Sequence, residues 1–447
     1  MLPTHFFCLP LRQRIIESIL FMSTLTISII VAFVLGYALI AMESLTKINK
    51  AAIALLMFVV CWVLYMVDPS PFVQLMHPEF KGMGDQLVTF ANKLITEHLG
   101  DTATTLFFLM GAMTIVEIVD QNGGFNWVKN VMRSKSKRSL LWKIAFMTFF
   151  LSAILDNLTT SIVMIMILRK LVQDHKDRMI YASLVIIAAN SGGAFSPIGD
   201  VTTIMLWNAG MITAGGVISE IFIPSLISMI IPAFVLQFLL KGKLGGDMLE
   251  TDHTGDTELL EFNGSQRKII FAIGVGGLCF VPVFHYFTDL PPFVGILFVL
   301  GILWTITEIF YRNLHRAKGD SEDFSKRVTN LLSRIDMSTI LFFLGILMAV
   351  ACLEEVGILH ELGGGLNSFF QGNHYAVTGI IGVLSSIVDN VPLVAGSMGM
   401  YPVQATGDMA VDGIFWQLLA YCAGVGGSIL IIGSAAGVVV MGLEKIT

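Results

Sequence analysis

Long apolar stretches separated by short polar segments dominate the chain from residue 25 onward. A helix that crosses the hydrocarbon core of a bilayer needs about 20 mostly apolar residues, and about nine stretches approach or exceed that length. Lipid is therefore the expected main solvent, and an all-α polytopic membrane protein is predicted. The stretches lie near residues 25–42, 50–67, 102–120, 180–210, 216–240, 269–288, 292–311, 337–356 and 413–442.

Composition strengthens this prediction and excludes other classes. Of 447 residues, 55% are hydrophobic and 13% are charged, and the mean hydropathy of +0.78 lies outside the range of soluble globular proteins. The formal charge of −6 lies mostly in loops, above all in the acidic run from Asp247 to Glu261, which we interpret as a solvated linker; no nucleic-acid partner is expected. The cysteines show no Cys-x-x-Cys spacing, so no cysteine metal centre is predicted.

A weak internal repeat relates the two halves of the chain. Matching segments recur in the same order at a nearly constant offset, which is unlikely to arise by chance. The matches are Phe107–Leu109 with Phe342–Leu344, Ser152–Asn157 with Ser385–Asn390, and Asn190–Gly193 with Gly424–Gly427. The predicted organisation is an N-terminal segment over 1–24, a first inverted repeat over 25–210, a connecting helix and cytoplasmic linker over 211–268, and a second inverted repeat over 269–447.

Lysine and arginine residues flank the first copy on both sides. Because Lys and Arg in short loops favour the cytoplasmic side, both ends of the apolar stretch 140–171 are expected there. This stretch is too short for two crossings of about 20 residues each plus a turn. We therefore predict a re-entrant helical hairpin with Asp156-Asn157 at its tip. The basic residues are Lys129, Arg133, Lys135, Lys137, Arg138 and Lys143 before it, and Arg169, Lys170, Lys176 and Arg178 after it.

The second copy lies in a run from Ile335 to Glu444 that contains no Lys or Arg. The loop before this run is basic and is expected in the cytoplasm, so one crossing takes the chain outside. The hairpin at 374–400, around Asp389-Asn390, then enters from the opposite face. Such inverted repeats are typical of secondary transporters. The basic loop contains Arg312, Arg316, Lys318, Lys326, Arg327 and Arg334.

The N-terminal segment is the one place where charge and topology disagree. Arg12 and Arg14 precede the apolar stretch 25–42, as in a signal peptide, but no small-residue cleavage site follows, so a retained helix is expected. The inverted arrangement puts the N-terminus outside, whereas these arginines favour the cytoplasm. A short extra helix within the first 21 residues would resolve the disagreement.

Helix-breaking residues interrupt two apolar stretches at equivalent places in the two copies. Residues 190–200 combine several glycines with Pro197, and glycines recur through 424–437. Gly and Pro destabilise helix interiors, and broken backbone in lipid is tolerated only where it is buried or lines a wet cavity. A broken transmembrane helix at a transporter binding site is therefore predicted in each repeat. Close packing of helices at glycine is the alternative.

Three carboxylates, those of Asp156, Asp200 and Asp389, lie in strongly apolar surroundings without Lys or Arg in the same segments. An ionised carboxylate at membrane depth is costly unless it is paired, hydrated or protonated. A bound cation or a proton is the natural partner, and exchange of one for the other is the minimum chemistry of cation/proton exchange. Nearby oxygens suit a hard cation, although such polar groups also serve as contacts between helices. The candidate site comprises Asp156, Asn157, Asn190, Asp200, Thr202, Thr203, Ser385, Asp389, Asn390, Ser428 and Ser434, with the three carboxylates as metal ligands.

Other ionisable groups give weaker signals. Glu117 lies in an apolar segment and is either a buried glutamate with local partners or a member of a proton relay. The Glu354-Glu355 pair is interpreted as a helix end. The histidines lie largely in loops or at segment ends, and none is assigned a role.

Together, four motifs closely resemble those of the NhaD-type sodium/proton antiporters of the ion transporter superfamily. The motifs are LDNLTTS (155–161), NSGGAFSPIGD (190–200) followed by Thr202-Thr203, VDNVP (388–392) and GVGGSILIIGSAAG (424–437). The resemblance covers nearly the whole chain from the first apolar stretch onward. It implies two inverted-topology repeats, each with a re-entrant hairpin and a broken transmembrane helix, meeting near the bilayer midplane.

The resemblance also implies a secondary transporter that exchanges cytoplasmic Na+ and Li+ for external protons, with no enzymatic activity and no cofactor. Wider relatives that carry dicarboxylates have Ser-Asn-Thr at the hairpin tips, whereas this chain has Asp-Asn twice, which repels an anion and attracts a cation. A Na+-coupled carboxylate symporter or a metalloid exporter on the same scaffold is the alternative. An intramembrane hydrolase with paired aspartates is disfavoured, because the aspartates lie in a repeat of broken helices.

The setting expected from the resemblance is a lipid bilayer, with the chain as a multi-pass protein of the bacterial inner membrane; an organelle membrane is the alternative. A homodimer is inferred from the resemblance, since dimers are common in the superfamily. The copies are expected to share the cation unequally, because the second broken segment carries Ser434 where the first carries Asp200. The repeat therefore does not assign the proton to one carboxylate.

Overall fold

The chain forms α-helices over most of the residues that the computed structural model describes, namely 24–132, 134, 136–240, 242, 262–318, 332–333, 335–431 and 433–444. No strand is formed within these ranges. The helices are α1 (Thr24–Ala41), α2 (Glu43–Thr46), α3 (Lys50–Val67), α4 (Ser70–Met76), α5 (Asp85–Gln121), α6 (Asn126–Met132), α7 (Lys137–Leu155), α8 (Asn157–Leu171), α9 (His175–Ala194), α10 (Val201–Asn208), α11 (Ala214–Leu236), α12 (Gly264–Thr288), α13 (Pro292–Lys318), α14 (Met337–Glu355), α15 (Ile358–Phe369), α16 (His374–Leu384), α17 (Asn390–Met400), α18 (Ile414–Gly426) and α19 (Ala435–Glu444).

Some sequence predictions fall outside the described residues. These are the N-terminal segment with its two arginines, the acidic linker, and part of each basic loop. The boundaries proposed for the two repeats therefore stay predictions. The named residues that lie outside are Arg12, Arg14, Asp247, Glu261, Arg133, Lys135, Lys326, Arg327 and Arg334.

Eight helices among the described residues are long and apolar enough to cross a membrane, which confirms an all-α polytopic membrane protein. The predicted stretches 180–210 and 413–442 are both interrupted, by the ends of α9 and α18. Helix α7 is itself a candidate span of 19 residues, so length alone does not separate a re-entrant hairpin from a full crossing, and re-entry stays a prediction. The candidate spans are α1, α3, α5, α7, α11, α12, residues Pro292–Leu314 of α13, and α14.

The helices form two compact units, the first of residues 1–100 and 341–362 and the second of residues 101–340 and 363–447. In the first unit, α14 packs closely on α3, because a Cβ at Gly345 would overlap the Ala54 backbone. The indole Nε1 of Trp62 donates to the carbonyl of Met348 over 2.8 Å. Small residues allow such close approach of helices in lipid, where polar contacts add to the packing.

A buried glutamate links three segments of the first unit. The carboxylate of Glu355 lies 2.8 Å from Nε2 of His98 on α5 and 2.9 Å from Nε2 of His77, which follows α4. Helix α14 ends at Glu355, which confirms the predicted helix end. The sequence assigned no role to the two histidines, and the structure shows that both contact this buried carboxylate.

In the second unit, each hairpin packs against a broken helix through a serine. The hydroxyl of Ser152 on α7 donates to the carbonyl of Ala189 on α9 over 2.6 Å. The hydroxyl of Ser385, which directly follows α16, donates to the carbonyl of Ala423 on α18 over 2.7 Å. Ser152 and Ser385 are equivalent in the sequence repeat, so the two hairpins share this contact. The inverted orientation of the copies stays a prediction.

Glycine permits this close packing in both places. A Cβ at Gly192 on α9 would overlap the carbonyl of Phe149, and a Cβ at Gly426 on α18 would overlap the carbonyl of Gly382. Both neighbours are main-chain atoms, so neither can turn aside. The glycines of the predicted break regions therefore also set how closely hairpin and broken helix approach each other.

We expect Gly192→Ala to destabilise the protein, because the added methyl group has no room against the backbone of α7. Overpacking typically lowers the free energy of unfolding by about 1–3 kcal/mol. Thermal unfolding in detergent measures the effect, with Gly276→Ala on α12 as the matched control, since nothing lies within 4 Å of a Cβ there and alanine favours a helix. Equal melting temperatures for the two variants would contradict this packing.

Two carboxylates fasten the second broken helix to earlier parts of the second unit, one beside each end. Before α18, Asp412 accepts hydrogen bonds from the backbone N–H of Thr213 (2.7 Å) and from its hydroxyl (2.6 Å). At the end of α19, Glu444 accepts from Nε of Arg169 (3.0 Å) and from Nε of Arg178 (2.5 Å). The side chain of Glu444 is fully buried. The elements around the break are thus held together at both ends.

Candidate cation site

The tip of the first hairpin is a single residue. Helix α7 ends at Leu155 and α8 begins at Asn157, so Asp156 alone makes the turn, with φ +78°. Such a backbone conformation is uncommon for a residue other than glycine, and strain of this kind clusters at functional sites. The carboxylate of Asp156 turns back onto its own helix, where it accepts from the N–H of Thr159 (2.8 Å) and from its hydroxyl (2.8 Å).

The tip of the second hairpin is longer. Helix α16 ends at Leu384 and α17 begins at Asn390. Asp389 precedes α17 and caps it, with Oδ1 accepting from the N–H of Val391 over 3.4 Å. Carboxylates at helix N-termini satisfy free N–H groups and complement the helix dipole. Both aspartates predicted at the tips are therefore helix caps, and each is followed by an asparagine that starts a helix.

Asp200 lies in the break of the first broken helix and is 1% exposed. It caps α10, and its Oδ1 accepts from the N–H of Thr202 (2.9 Å) and from its hydroxyl (2.8 Å). The hydroxyl of Thr203 donates to the Asp200 carbonyl over 2.8 Å. Thr202 and Thr203 belong to α10, the helix that Asp200 caps, and their hydrogen bonds fix the position of Asp200.

Both hairpin tips direct an amide to the carboxylate of Asp200. From the first tip, Nδ2 of Asn157 donates to Oδ2 over 2.6 Å. From the second tip, Nδ2 of Asn390 lies 3.3 Å from Oδ1 and 3.4 Å from Oδ2. Asn157 and Asn390 are equivalent in the sequence repeat. The Asp200 carboxylate thus receives an amide from each of the two sequence copies.

Asn190 extends this network to the second broken helix. Its Oδ1 accepts from Nδ2 of Asn157 over 3.1 Å. Its Nδ2 donates to the hydroxyl oxygen of Ser428 (2.9 Å) and to that of Ser434 (3.0 Å). Residues from both hairpins and both broken helices therefore share one buried network of carboxylate, amide and hydroxyl groups, which we name the Asp200 network.

Most of the predicted site residues come together in the Asp200 network, and a few have other partners. The hydroxyl proton of Ser385 is donated to the Ala423 carbonyl, and Ser152, its equivalent in the first copy, was missed although the repeat pointed to it. The carboxylates of Asp156 and Asp389 cap their own helices. The members of the network are Asn157, Asn190, Asp200, Thr202, Thr203, Asn390, Ser428 and Ser434.

The chemistry of the Asp200 network suits a hard monovalent cation or a proton. Every hydrogen-bond donor to the Asp200 carboxylate in the described part of the chain is a neutral amide, hydroxyl or backbone N–H. These donors satisfy the oxygens without neutralising the charge, which in lipid calls for a cation or a proton. The oxygens of the network are the ligands that hard cations prefer.

Comparison with known proteins identifies the family. A family model described as citrate transporter (CitMHS) matches residues 37–426. The chain is 42% identical over 414 residues to sodium/proton antiporter 1 of Arabidopsis thaliana, covering 93% of this chain and 66% of that protein. Identity to sodium/proton antiporter 2 of the same plant is 41% over 416 residues, covering 93% and 91%. Identity to the Na(+)/H(+) antiporter NhaD of Alkalimonas amylolytica is 32% over 373 residues, covering 78% and 72%.

Broken helices that enclose a buried polar centre, on an all-α polytopic scaffold, are the architecture of a secondary transporter. The family match agrees, so the protein is a transporter and not an enzyme. The chain belongs to the citrate transporter family, and within it to the NhaD type. The resemblance stated from the four motifs is thereby confirmed.

Proposed function

We propose that this protein exchanges cytoplasmic Na+, and Li+, for external protons, with the Asp200 network as the site that binds either the cation or the proton. The observation that carries the proposal is the Asp200 carboxylate, buried and held by one amide from each hairpin tip. The names of the relatives, which are sodium/proton antiporters, support the choice of ions.

Competition at one carboxylate gives coupling without any distant linkage. With a cation bound, Asp200 is ionised, and the amide oxygens of Asn157, Asn190 and Asn390 are available as further ligands through rotation of their side chains. With a proton bound, Asp200 is neutral and has lower affinity for a cation. Because the network accepts one or the other, release of a cation on one side requires a proton from that side.

The remaining predicted residues take part around this centre. Asp156 and Asp389, together with Asp200, make the region between the hairpins electronegative, which attracts a cation and repels an anion. Thr202 and Thr203 position Asp200, and Ser428 and Ser434 orient Asn190. Ser385 fixes the second hairpin against α18. In the proposed alternating access, the site-bearing elements of two inverted repeats move against a more rigid scaffold.

The proposed location is the bacterial inner membrane, where the chain is a multi-pass protein. NhaD proteins of Alkalimonas amylolytica and Vibrio parahaemolyticus support it, whereas the relatives from a plant do not, and an organelle membrane is the alternative. A homodimer is part of the proposal and rests on the superfamily resemblance alone. Blue native electrophoresis of the solubilised protein tests it.

A second candidate function is a Na+-coupled carboxylate symporter or a metalloid exporter on the same scaffold. The description of the matching family, citrate transporter, favours the symporter. The carboxylates of Asp156 and Asp389 at the two hairpin tips count against it, because they repel an anionic substrate. Na+-dependent uptake of labelled citrate into vesicles would support this alternative.

The first test is cation-dependent collapse of ΔpH in everted membrane vesicles from a host without its own antiporters. We expect NaCl and LiCl to dissipate the proton gradient, because either ion displaces the proton at Asp200. KCl and choline chloride serve as comparisons, and vesicles without the protein give the background. If no alkali cation dissipates the gradient in vesicles that contain the protein, the antiporter proposal is wrong, and anion uptake is the next measurement.

A further inference from the structure

A buried hydroxyl on α8, close to the Asp200 network, has no hydrogen-bond partner among the described residues. Thr160 on α8 is 0% exposed, and its Oγ1 makes no hydrogen bond within the described part of the chain. A buried hydroxyl without a partner loses its hydration and gains nothing in return. Native structures contain few such groups, and each calls for an explanation.

The hydroxyls on either side of Thr160 are accounted for. Thr159 donates to Oδ2 of Asp156 over 2.8 Å, and Ser161 donates to the carbonyl of Asn157 over 2.7 Å. The second is the usual bond of a helical serine to the carbonyl four residues earlier. The hydroxyl of Thr160 could donate in the same way to the carbonyl oxygen of Asp156. That oxygen instead accepts from the backbone N–H of Thr160 over 3.2 Å and not from its hydroxyl. Among the three hydroxyls of residues 159–161, that of Thr160 is therefore the one without a partner in the described part of the chain.

Helix geometry places Thr160 beside the amide that holds Asp200. Residues three apart lie on the same side of an α-helix, in successive turns. Thr160 follows Asn157 by three residues, and the side chain of Asn157 donates to Asp200 and to Asn190. Thr160 thus lies about one turn from Asn157, on the face of α8 that carries this member of the network.

The second copy has no equivalent of this hydroxyl. Asn390 is the equivalent of Asn157, and the residue three positions later is Leu393. The second copy likewise carries Ser434 where the first carries Asp200. The carboxylate in the break and the unpartnered hydroxyl are therefore both confined to the first copy, although the tip asparagines occur in both. A cation bound at Asp200 would therefore have the Thr160 oxygen available as an additional ligand from the first copy.

We infer that Thr160 is a further cation ligand, whose Oγ1 completes the coordination of Na+ or Li+ on the side of Asp200 that faces the first hairpin. The inference rests on the proposed function and adds a ligand and an asymmetry to it. A threonine oxygen is a hard, neutral donor and suits an alkali cation next to a single carboxylate. The cation then lies nearer the first copy than the second.

Thr160→Val tests the inference, because valine has the shape of threonine without its oxygen. The Na+ and Li+ concentrations for half-maximal ΔpH dissipation should rise by about tenfold or more, as expected for loss of one well-placed polar ligand. Thr160→Ser, which restores the oxygen, should return them to near the original values. Thr148→Val is the matched control, since Thr148 on α7 is also fully buried and its Oγ1 also lacks a partner among the described residues.

Thermal stability separates a ligand from a structural hydroxyl. Replacing an unpartnered buried hydroxyl by a methyl group should leave the melting temperature equal or higher. A loss of affinity in Thr160→Val at an equal or higher melting temperature then does not come from unfolding. Unchanged half-saturation in Thr160→Val would overturn the inference; if this variant does not insert, Thr160→Ala gives the same comparison. Absence of exchange in the unaltered protein would instead overturn the proposed function, so the two failures are distinguishable.

Discussion

Asp200→Asn should abolish cation-dependent proton exchange while the protein still inserts into the membrane. The substitution keeps the shape of the side chain, removes its charge, and can place an amide donor opposite the amides of Asn157 and Asn390. Neither a cation nor a proton then has a carboxylate to bind at the centre of the network. We expect the initial rate of ΔpH dissipation by NaCl to fall by about 100-fold or more, as when one partner of a buried charged contact is removed.

Asp174→Asn is the matched control for this substitution. Asp174 also caps a helix of the first copy, with Oδ1 accepting from the N–H of Asp177 over 2.8 Å, but it is exposed at the start of α9. Asparagine caps helices about as well as aspartate, so this control should exchange ions at the unaltered rate. Exchange by Asp200→Asn at a rate similar to that of Asp174→Asn would show that the Asp200 carboxylate does not carry the transported ions.

The two breaks in the helices could be predicted from sequence because glycine and proline act locally. They remove helix propensity wherever they stand, and their clusters lie where α9 ends at Ala194 and where α18 ends at Gly426. The apolar stretches could be predicted for the same reason, since each span requires only its own residues to be apolar. Which of these elements contact one another could not be predicted from local sequence.

The sequence did not show whether the aspartate or the asparagine of each hairpin tip contacts the Asp200 network. Asp156 and Asn157 are adjacent, and only the backbone decides their directions. The positive φ of Asp156 turns its carboxylate onto Thr159, which leaves the amide of Asn157 to reach Asp200. A carboxylate was the natural choice from charge alone. The structure instead assigns the bridging role to the asparagines and places the shared carboxylate in the break.

Contacts between distant residues were also beyond the sequence pattern. Glu355 and its partners His77 and His98 are separated by 278 and 257 residues. Nothing in the local sequence of a histidine distinguishes an exposed ring from one that binds a buried carboxylate. The same holds for Glu444 and Arg169, which are separated by 275 residues.

Glu444→Ala should give a marked loss of stability, because it leaves two arginines without their buried counter-ion at the end of α19. Arg178 is 17% exposed and Arg169 is 43% exposed, whereas the Glu444 side chain is 0% exposed. Breaking a fully buried ion pair costs about 3–5 kcal/mol, and partial hydration of Arg169 reduces this, so we expect a decrease of about 2–3 kcal/mol. Thermal unfolding in detergent measures it.

An exposed ion pair on α5 provides the control for Glu444→Ala. Lys93 and Glu97 form an i,i+4 pair at 3.3 Å with side chains 65% and 56% exposed, and such pairs contribute only about 0.3–0.5 kcal/mol. Glu97→Ala should therefore change the melting temperature little, whereas Glu444→Ala should lower it clearly. Glu444→Gln should fall between, because it keeps an acceptor but not the charge. Equal melting temperatures for Glu444→Ala and Glu97→Ala would mean that the buried carboxylate does not fasten α19 to the first copy.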